Sequence, residues 1–144
     1  MKSPSMPPSV LLVDDSKDGL LVRRALLEEQ GFDVHIAVNG EEGLKLFQRR
    51  SFDVVVTDYR MPVMCGLELI RGIRALKPLT PVVLLSGAVE PLGLNQENTG
   101  ADVVIAKNSS EAARLIRSVK RLINRPPTRK PAASQRRPLA RAQA

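Results

Sequence analysis

The chain has 144 residues, 43% of them hydrophobic and 26% charged, and a net charge of +7, which is typical of one globular domain with an appended basic segment. No apolar run approaches the ~20 residues that cross a bilayer, and the start of the chain lacks the apolar core of a secretory signal. The single cysteine, Cys65, cannot form an internal disulfide, so we expect a cytoplasmic protein with no membrane partner.

Short apolar runs alternate with segments of helical spacing along most of the chain. We expect residues 1–8, at the start of the chain, to be disordered. Five apolar runs then predict strands at residues 9–13, 33–37, 52–57, 81–86 and 101–106. Four segments predict helices at residues 17–31, 40–50, 66–77 and 109–123. The connection before the fifth strand contains Pro91 and several glycines, so we expect a short or irregular fourth helix there.

Continuous apolar strands that alternate with helices are typical of a parallel sheet covered on both faces. We therefore predict a doubly wound α/β domain over residues 9–124. In open parallel sheets, ligands bind beyond the carboxyl ends of the strands. Four of the predicted strands deliver polar side chains to that edge, and these are Asp14, Asp15, Asp58, Ser86 and Lys107.

Each of these residues has a simple alternative role by itself, since Asp14 and Asp15 could cap the next helix and Lys107 could be a solvated loop residue. Their convergence favours a binding site instead. Carboxylates about 4 Å apart repel by ~4 kcal/mol per pair at an effective dielectric constant of 20, so a cation must balance them. Hard oxygen ligands without His or Cys favour Mg²⁺. With Asp58 as nucleophile and Ser86 as a hydroxyl donor, such a site suits phosphoryl transfer.

Four motifs carry a family resemblance, and they are LLVDDS, VVVTDYRMPVMCG, LLSGA and GADVVIAK. In this order and spacing they resemble the receiver domains of two-component response regulators, from residue 9 to about residue 124. The resemblance implies a flavodoxin-like (βα)5 fold with a five-stranded parallel sheet in the order 2-1-3-4-5. It also implies a histidine kinase or a histidine phosphotransfer protein as the phosphodonor, and an output partner that the sequence does not name.

The resemblance assigns roles to the residues at the strand ends. Asp58 would accept the phosphoryl group, while Ser86 and Lys107 would contact it. Such a domain catalyses only its own phosphorylation and dephosphorylation, so we do not expect an enzyme that acts on a separate substrate. The implied Mg²⁺ ligands are Asp15 and Asp58 directly, the backbone carbonyl of Arg60, and Asp14 through a coordinated water.

The sequence departs from the family pattern on the side of the domain that often carries output. Asn108 follows Lys107, where the family usually has proline, and Val104 replaces the usual aromatic switch residue. The fourth helix is also interrupted. We therefore expect intact acceptor chemistry and an altered output.

Residues 125–144 carry six basic residues and no acidic one, which leaves 16 basic and 15 acidic residues, a net charge of +1, in residues 1–124. This segment is rich in Pro, Arg and Ala and has one large aliphatic residue, Leu139, so we expect a disordered tail. It is too short and too polar to form an output domain. We interpret the chain as a stand-alone regulator that signals by phosphorylation-dependent partner binding or phosphorelay.

Two alternatives stay open beside this interpretation, and a third is disfavoured. The chain could be a receiver fragment of a larger regulator or hybrid kinase. The basic tail could bind nucleic acid weakly through phosphate contacts. A phosphatase of the haloacid dehalogenase type is disfavoured, because that family places its nucleophile in an Asp-x-Asp pattern whereas Asp14 and Asp15 are adjacent.

Overall fold

A five-stranded parallel sheet in the order β2-β1-β3-β4-β5 forms the centre of the computed structural model, which describes residues 6–87 and 92–124. The strands are β1 (Ser9–Val13), β2 (Asp33–Ala37), β3 (Val54–Asp58), β4 (Val82–Ser86) and β5 (Val103–Ala106). The helices are α1 (Lys17–Glu29), α2 (Gly40–Arg49), α3 (Gly66–Leu76), α4 (Gln96–Thr99) and α5 (Glu111–Asn124). The predicted fold class and strand order are confirmed.

In the described part of the connection before β5, α4 has four residues, in agreement with the predicted short or irregular fourth helix, while residues 88–91 of this connection lie outside the described residues. Asn95 caps the start of α4, because its side chain accepts the N–H of Asn98, and Gly100 caps the end of the helix with a φ of 80°, in the left-handed region that glycine adopts without strain. The predicted disordered tail, residues 125–144, lies outside the described residues, and so does most of the predicted disordered start. None of the helices in the described part of the chain has the length and apolarity to span a bilayer.

The two faces of the sheet are covered by different helices. The three central strands, β1, β3 and β4, are apolar at almost every position because both of their faces are buried. On one face, α1 and α5 pack against the sheet with the buried residues Leu20, Leu27, Leu115, Val119 and Leu122. On the other, α2 and α3 contribute Phe47, Leu69, Ile70 and Ile73. This double cover leaves the carboxyl edge of the sheet as the open end of the domain.

Two aspartates at the amino-terminal edge of the sheet, Asp53 and Asp102, explain why β3 and β5 begin later than the sequence predicts. Asp53 accepts the N–H of Ser9 at 2.7 Å, and its own N–H donates to the Ser9 carbonyl at 2.9 Å. Asp102 accepts the N–H of Val82 at 2.8 Å and also pairs with Arg74 of α3 at 3.1 Å. At these positions a side-chain carboxylate accepts the N–H of the neighbouring strand, while the backbone N–H of each aspartate still donates to that strand.

Val63, in the loop between β3 and α3, has a φ of 72°, which is costly for a β-branched residue. Its side chain is 86% exposed and so gains little burial in return. We expect Val63→Gly to raise the free energy of unfolding by about 1 kcal/mol, because the relieved strain exceeds the extra backbone entropy of glycine. Urea unfolding would measure this, with Val63→Ala as the control that keeps a Cβ. A Val63→Gly variant less stable than wild type would contradict the prediction.

Candidate functional site

The sheet ladder itself brings the predicted site residues together. Asp58 is the last residue of β3 and lies opposite Leu85 of β4. Beyond the last strand residues the pairing continues, because the Lys107 N–H donates to the Ser86 carbonyl at 3.0 Å. The N–H of Asp14 donates to the end of β2 in the same way, at 3.2 Å. Each side chain is therefore positioned by a hydrogen-bonded strand end.

Three carboxylates converge at this edge. Asp14, Asp15 and Asp58 each offer an oxygen, and these oxygens lie within 4.8 Å of one another. Asp14 and Asp58 are only 2% and 5% exposed, whereas Asp15 is exposed. Hard oxygens at this spacing, open to water on one side, fit a divalent cation such as Mg²⁺ that keeps part of its hydration shell. The predicted carboxylate cluster is present, and it could hold a metal.

Lys107 and Ser86 lie at the same end of the sheet. The Lys107 Nζ atom is 2.5 Å from Oδ1 of Asp58, which makes a direct ion pair. Ser86 is 2% exposed at the end of β4, and residues 88–91, which follow it closely, are outside the described chain. Arg60 is exposed, and its guanidinium carbon lies 5.8 Å from the centre of the Tyr59 ring. The suggested role of the Arg60 carbonyl stays a prediction.

The loop after Asp58 folds back against the strand end and forms one wall of the site. The Gly66 N–H donates to the Tyr59 carbonyl at 2.8 Å, and a Cβ at Gly66 would collide with the Asp58 carbonyl, so glycine is required here. The loop borders an open cleft of about 400 Å³. The cleft is lined by Asp15, Tyr59, Arg60, Met61, Pro62 and Cys65. Asp15 of the carboxylate cluster is accessible from solvent through this cleft.

Asn108, at the position where the resemblance implies proline, lies in the turn that leads into α5. Its Oδ1 accepts the N–H of Ser110 at 2.9 Å, and its carbonyl accepts the N–H of Glu111 at 3.0 Å. Such a side-chain turn is a common way to begin a helix. The departure from the family pattern therefore has a local structural role beside Lys107.

Burial raises the pKa of Asp58, and the charge of Asp14 adds to the rise. The hydrogen bond and the charge of Lys107 oppose it without cancelling it. The native chain without metal therefore holds this proton to a higher pH than the unfolded chain does. The stability contributed by Asp58 consequently falls as the pH rises from the ordinary aspartate value of about 3.9 through the raised pKa.

This shift predicts a pH-dependent difference between wild type and Asp58→Asn. Asparagine cannot ionise, so the variant should gain stability relative to wild type as the pH rises through that window in the absence of Mg²⁺. Urea midpoints of both proteins in EDTA, from pH about 3.5 to about 7, would measure it. A difference that stays constant with pH would contradict the raised pKa.

Arg23 of α1 also belongs to the site, although the sequence interpretation did not include it. Its Nη1 donates to Oδ2 of Asp14 at 2.6 Å, and its Nε donates to Oε2 of Glu111 at 2.6 Å. The side chain is only 11% exposed. The sequence does contain a sign that Arg23 faces inward. It lies between Leu20 and Leu27 at helical spacing and so falls on the buried stripe of α1.

The chain is similar in sequence to known signalling proteins. The family model described as the response regulator receiver domain matches residues 10–120. The C4-dicarboxylate transport transcriptional regulatory protein DctD of Rhizobium meliloti is 36% identical over 118 residues, which are 81% of this chain and 25% of DctD. The chain thus spans a quarter of the length of that relative.

Solved receiver structures have the same fold. The receiver domain of the sensor histidine kinase PA1611 from Pseudomonas aeruginosa, crystallised with a magnesium ion in its active-site cleft, gives a TM-score of 0.75 at 27% identity, covering 83% of this chain and 100% of that one. The response regulator protein TrrA from Thermotoga maritima, in complex with Mg²⁺ and BeF, gives a TM-score of 0.73 at 30% identity. The match covers 80% of this chain and 98% of that one. The family model, the order of the strands and the residues at the strand ends all indicate the same family. The chain belongs to the response regulator receiver domain family.

Proposed function

We propose that this chain accepts a phosphoryl group on Asp58 in a Mg²⁺-dependent reaction and signals through the phosphorylated state. The observation that carries the proposal is the buried Asp58 carboxylate, which pairs with Lys107 and lies among the carboxylates of Asp14 and Asp15. A buried carboxylate with two acidic neighbours and one cation suits nucleophilic attack on a phosphoryl group. The phosphodonor in this proposal is a histidine kinase or a histidine phosphotransfer protein.

In the proposed step, an Asp58 oxygen attacks the phosphorus atom of a phosphohistidine. A P–O bond forms, the P–N bond breaks, and the electron pair leaves with the imidazole nitrogen. Lys107, whose Nζ atom is 2.5 Å from Asp58, would pair with the phosphoryl oxygens, and Ser86 would supply a hydroxyl donor at the same edge. Bound Mg²⁺ would neutralise charge on the transferred group. The groups proposed to hold it are the carboxylates of Asp15 and Asp58 and the backbone carbonyl of Arg60, with Asp14 acting through a coordinated water.

A labelling experiment tests this proposal directly. Wild-type protein incubated with a small-molecule phosphodonor and Mg²⁺ should gain one phosphate by intact mass, and EDTA should prevent the gain. Hydroxylamine should release the label, because it cleaves acyl phosphates. A label that survives hydroxylamine, as a serine phosphate does, would contradict the assignment.

We further propose that the chain is a single-domain regulator in the cytoplasm, and that it catalyses only its own phosphorylation and dephosphorylation. Output would come from partner binding or from passing the phosphoryl group on. Val104 is half-buried against the α2 and α3 side of the core, so it offers no large ring that could move between two positions. Partner capture with and without beryllofluoride, with Mg²⁺ present, would test phosphorylation-dependent binding. Equal capture in both states would argue against it.

A further inference from the structure

Both oxygens of Asp14 are held by donors from the protein itself. Oδ2 accepts from Nη1 of Arg23 at 2.6 Å, and Oδ1 accepts the N–H of Ser16 at 3.0 Å. Asp14 is 2% exposed, and an ionised carboxylate this deeply buried needs a counter-charge. Arg23 supplies that charge from inside the chain.

Gly19 provides the space that the pair occupies. A Cβ at this position would lie 2.8 Å from Nη1 of Arg23 and 2.9 Å from Oδ2 of Asp14. Glycine is a poor helix former, yet here it stands in the first turn of α1. The local sequence of α1 therefore admits the Arg23–Asp14 contact at a cost to the helix.

The other end of the Arg23 side chain contacts α5. Its Nε donates to Oε2 of Glu111 at 2.6 Å, and the Glu111 side chain is 17% exposed. Asp14, Arg23 and Glu111 thus form a continuous series of ion pairs from the carboxylate cluster to the start of α5, which we name the Arg23 bridge. The negative charge of Glu111 offsets part of the positive charge that Arg23 places beside Asp14.

We propose that Arg23 is a positioning residue that acts as an internal counter-ion of Asp14 and competes with Mg²⁺ for that carboxylate, so that the Arg23 bridge sets the metal affinity of the site. This inference rests on the proposed function, because it takes the carboxylate cluster to be the Mg²⁺ site. A guanidinium bonded to Asp14 opposes an arriving cation in two ways. The like charges repel, and the Asp14 oxygen already accepts a strong hydrogen bond.

Two substitutions should change the Mg²⁺ affinity in opposite directions. Arg23→Met removes the competing charge and keeps an apolar side chain of similar length, so Mg²⁺ should bind roughly tenfold more tightly. Glu111→Gln leaves Arg23 without its offsetting charge, so Mg²⁺ should bind several times more weakly. A purely structural role of Arg23 would not produce opposite shifts.

The next ion pair along α1 provides matched controls. Arg24 and Glu28 pair at 3.0 Å with side chains 43% and 46% exposed. Arg24→Met and Glu28→Gln remove the same charges from solvent-exposed positions, where screening is strong. Both controls should keep the wild-type Mg²⁺ affinity within about twofold.

Titration of the full chain with MgCl₂, followed by NMR shifts of the amides near Asp58, measures the affinities. In EDTA, Arg23→Met should unfold at lower urea concentration than Arg24→Met, because Asp14 is left buried without a counter-ion. Adding Mg²⁺ should then raise the unfolding midpoint of Arg23→Met more than that of wild type, since the ligand binds the folded state more tightly.

Separate outcomes would overturn the inference and the proposed function. If wild type binds Mg²⁺ and Arg23→Met binds it with equal or lower affinity, the inference is wrong while the proposed function stands. If wild type binds no Mg²⁺ near Asp58, both are wrong. Should Arg23→Met fail to fold, Glu111→Gln decides the matter, because an unchanged or increased affinity in that variant contradicts the inference.

Discussion

Asp58→Asn is expected to abolish phosphoryl acceptance, with no acyl phosphate detectable after incubation with a phosphodonor and Mg²⁺. The amide keeps the shape of the side chain but has no carboxylate oxygen to attack phosphorus. Asp58 is 5% exposed and is held at the end of β3, so the asparagine should keep the position of the native side chain. Lys107 is partly exposed, so water can solvate its charge once the ion pair with Asp58 is lost.

A matched variant separates this effect from a simple loss of one acidic residue. Asp33→Asn makes the same chemical change at the start of β2, on the opposite edge of the sheet, where the side chain is 48% exposed. It should accept phosphate at the wild-type rate. Intact-protein mass spectrometry on all three proteins gives the answer. Retention of a hydroxylamine-labile phosphate in Asp58→Asn would show that another residue is the acceptor.

Asp15→Ala is expected to lower the Mg²⁺ affinity at least roughly tenfold and to slow phosphorylation in proportion. The reason lies in what the other carboxylates already contact. Asp14 is bonded to Arg23 and Asp58 to Lys107. Within the described part of the chain, Asp15 alone of the three makes no ion pair, and it is exposed to the solvent from which the metal arrives.

Asp18→Ala is the control for this second prediction. Asp18 is an exposed acidic residue in the first turn of α1 and lies outside the carboxylate cluster, so its removal changes the net charge without removing a ligand. Its Mg²⁺ affinity should stay close to that of wild type. Mg²⁺ titration monitored by NMR would compare the two variants. Equal affinities of Asp15→Ala and wild type would place the metal somewhere else.

The fold could be predicted because its determinants are local. The bounds of β1 and β2 agree with the structure, since each is a short segment with β-branched residues that lies next to a segment of helical spacing. Errors of two residues occurred where β3 and β5 begin. There Asp53 and Asp102 use their carboxylates to bind neighbouring strands, and hydrophobic periodicity does not report such contacts.

The polar residues at the strand ends were predictable for a topological reason. In a parallel sheet every carboxyl end lies at one edge, so Asp14, Asp58 and Ser86 must lie near each other once the strands are identified. The order of the strands then makes them neighbours. Alternating apolar runs and helices thus determined the α/β class and the location of the candidate site.

Only the tertiary structure decided how the charges in that site are balanced. Arg23 and Glu111 are separated by 88 positions in the chain, and their contact at 2.6 Å exists because α1 and α5 pack side by side on one face of the sheet. The sequence places Arg23 on the inward stripe of α1 but does not show its partners. The strength of an ion pair depends on distance and burial, and both are set by how the helices pack against the sheet.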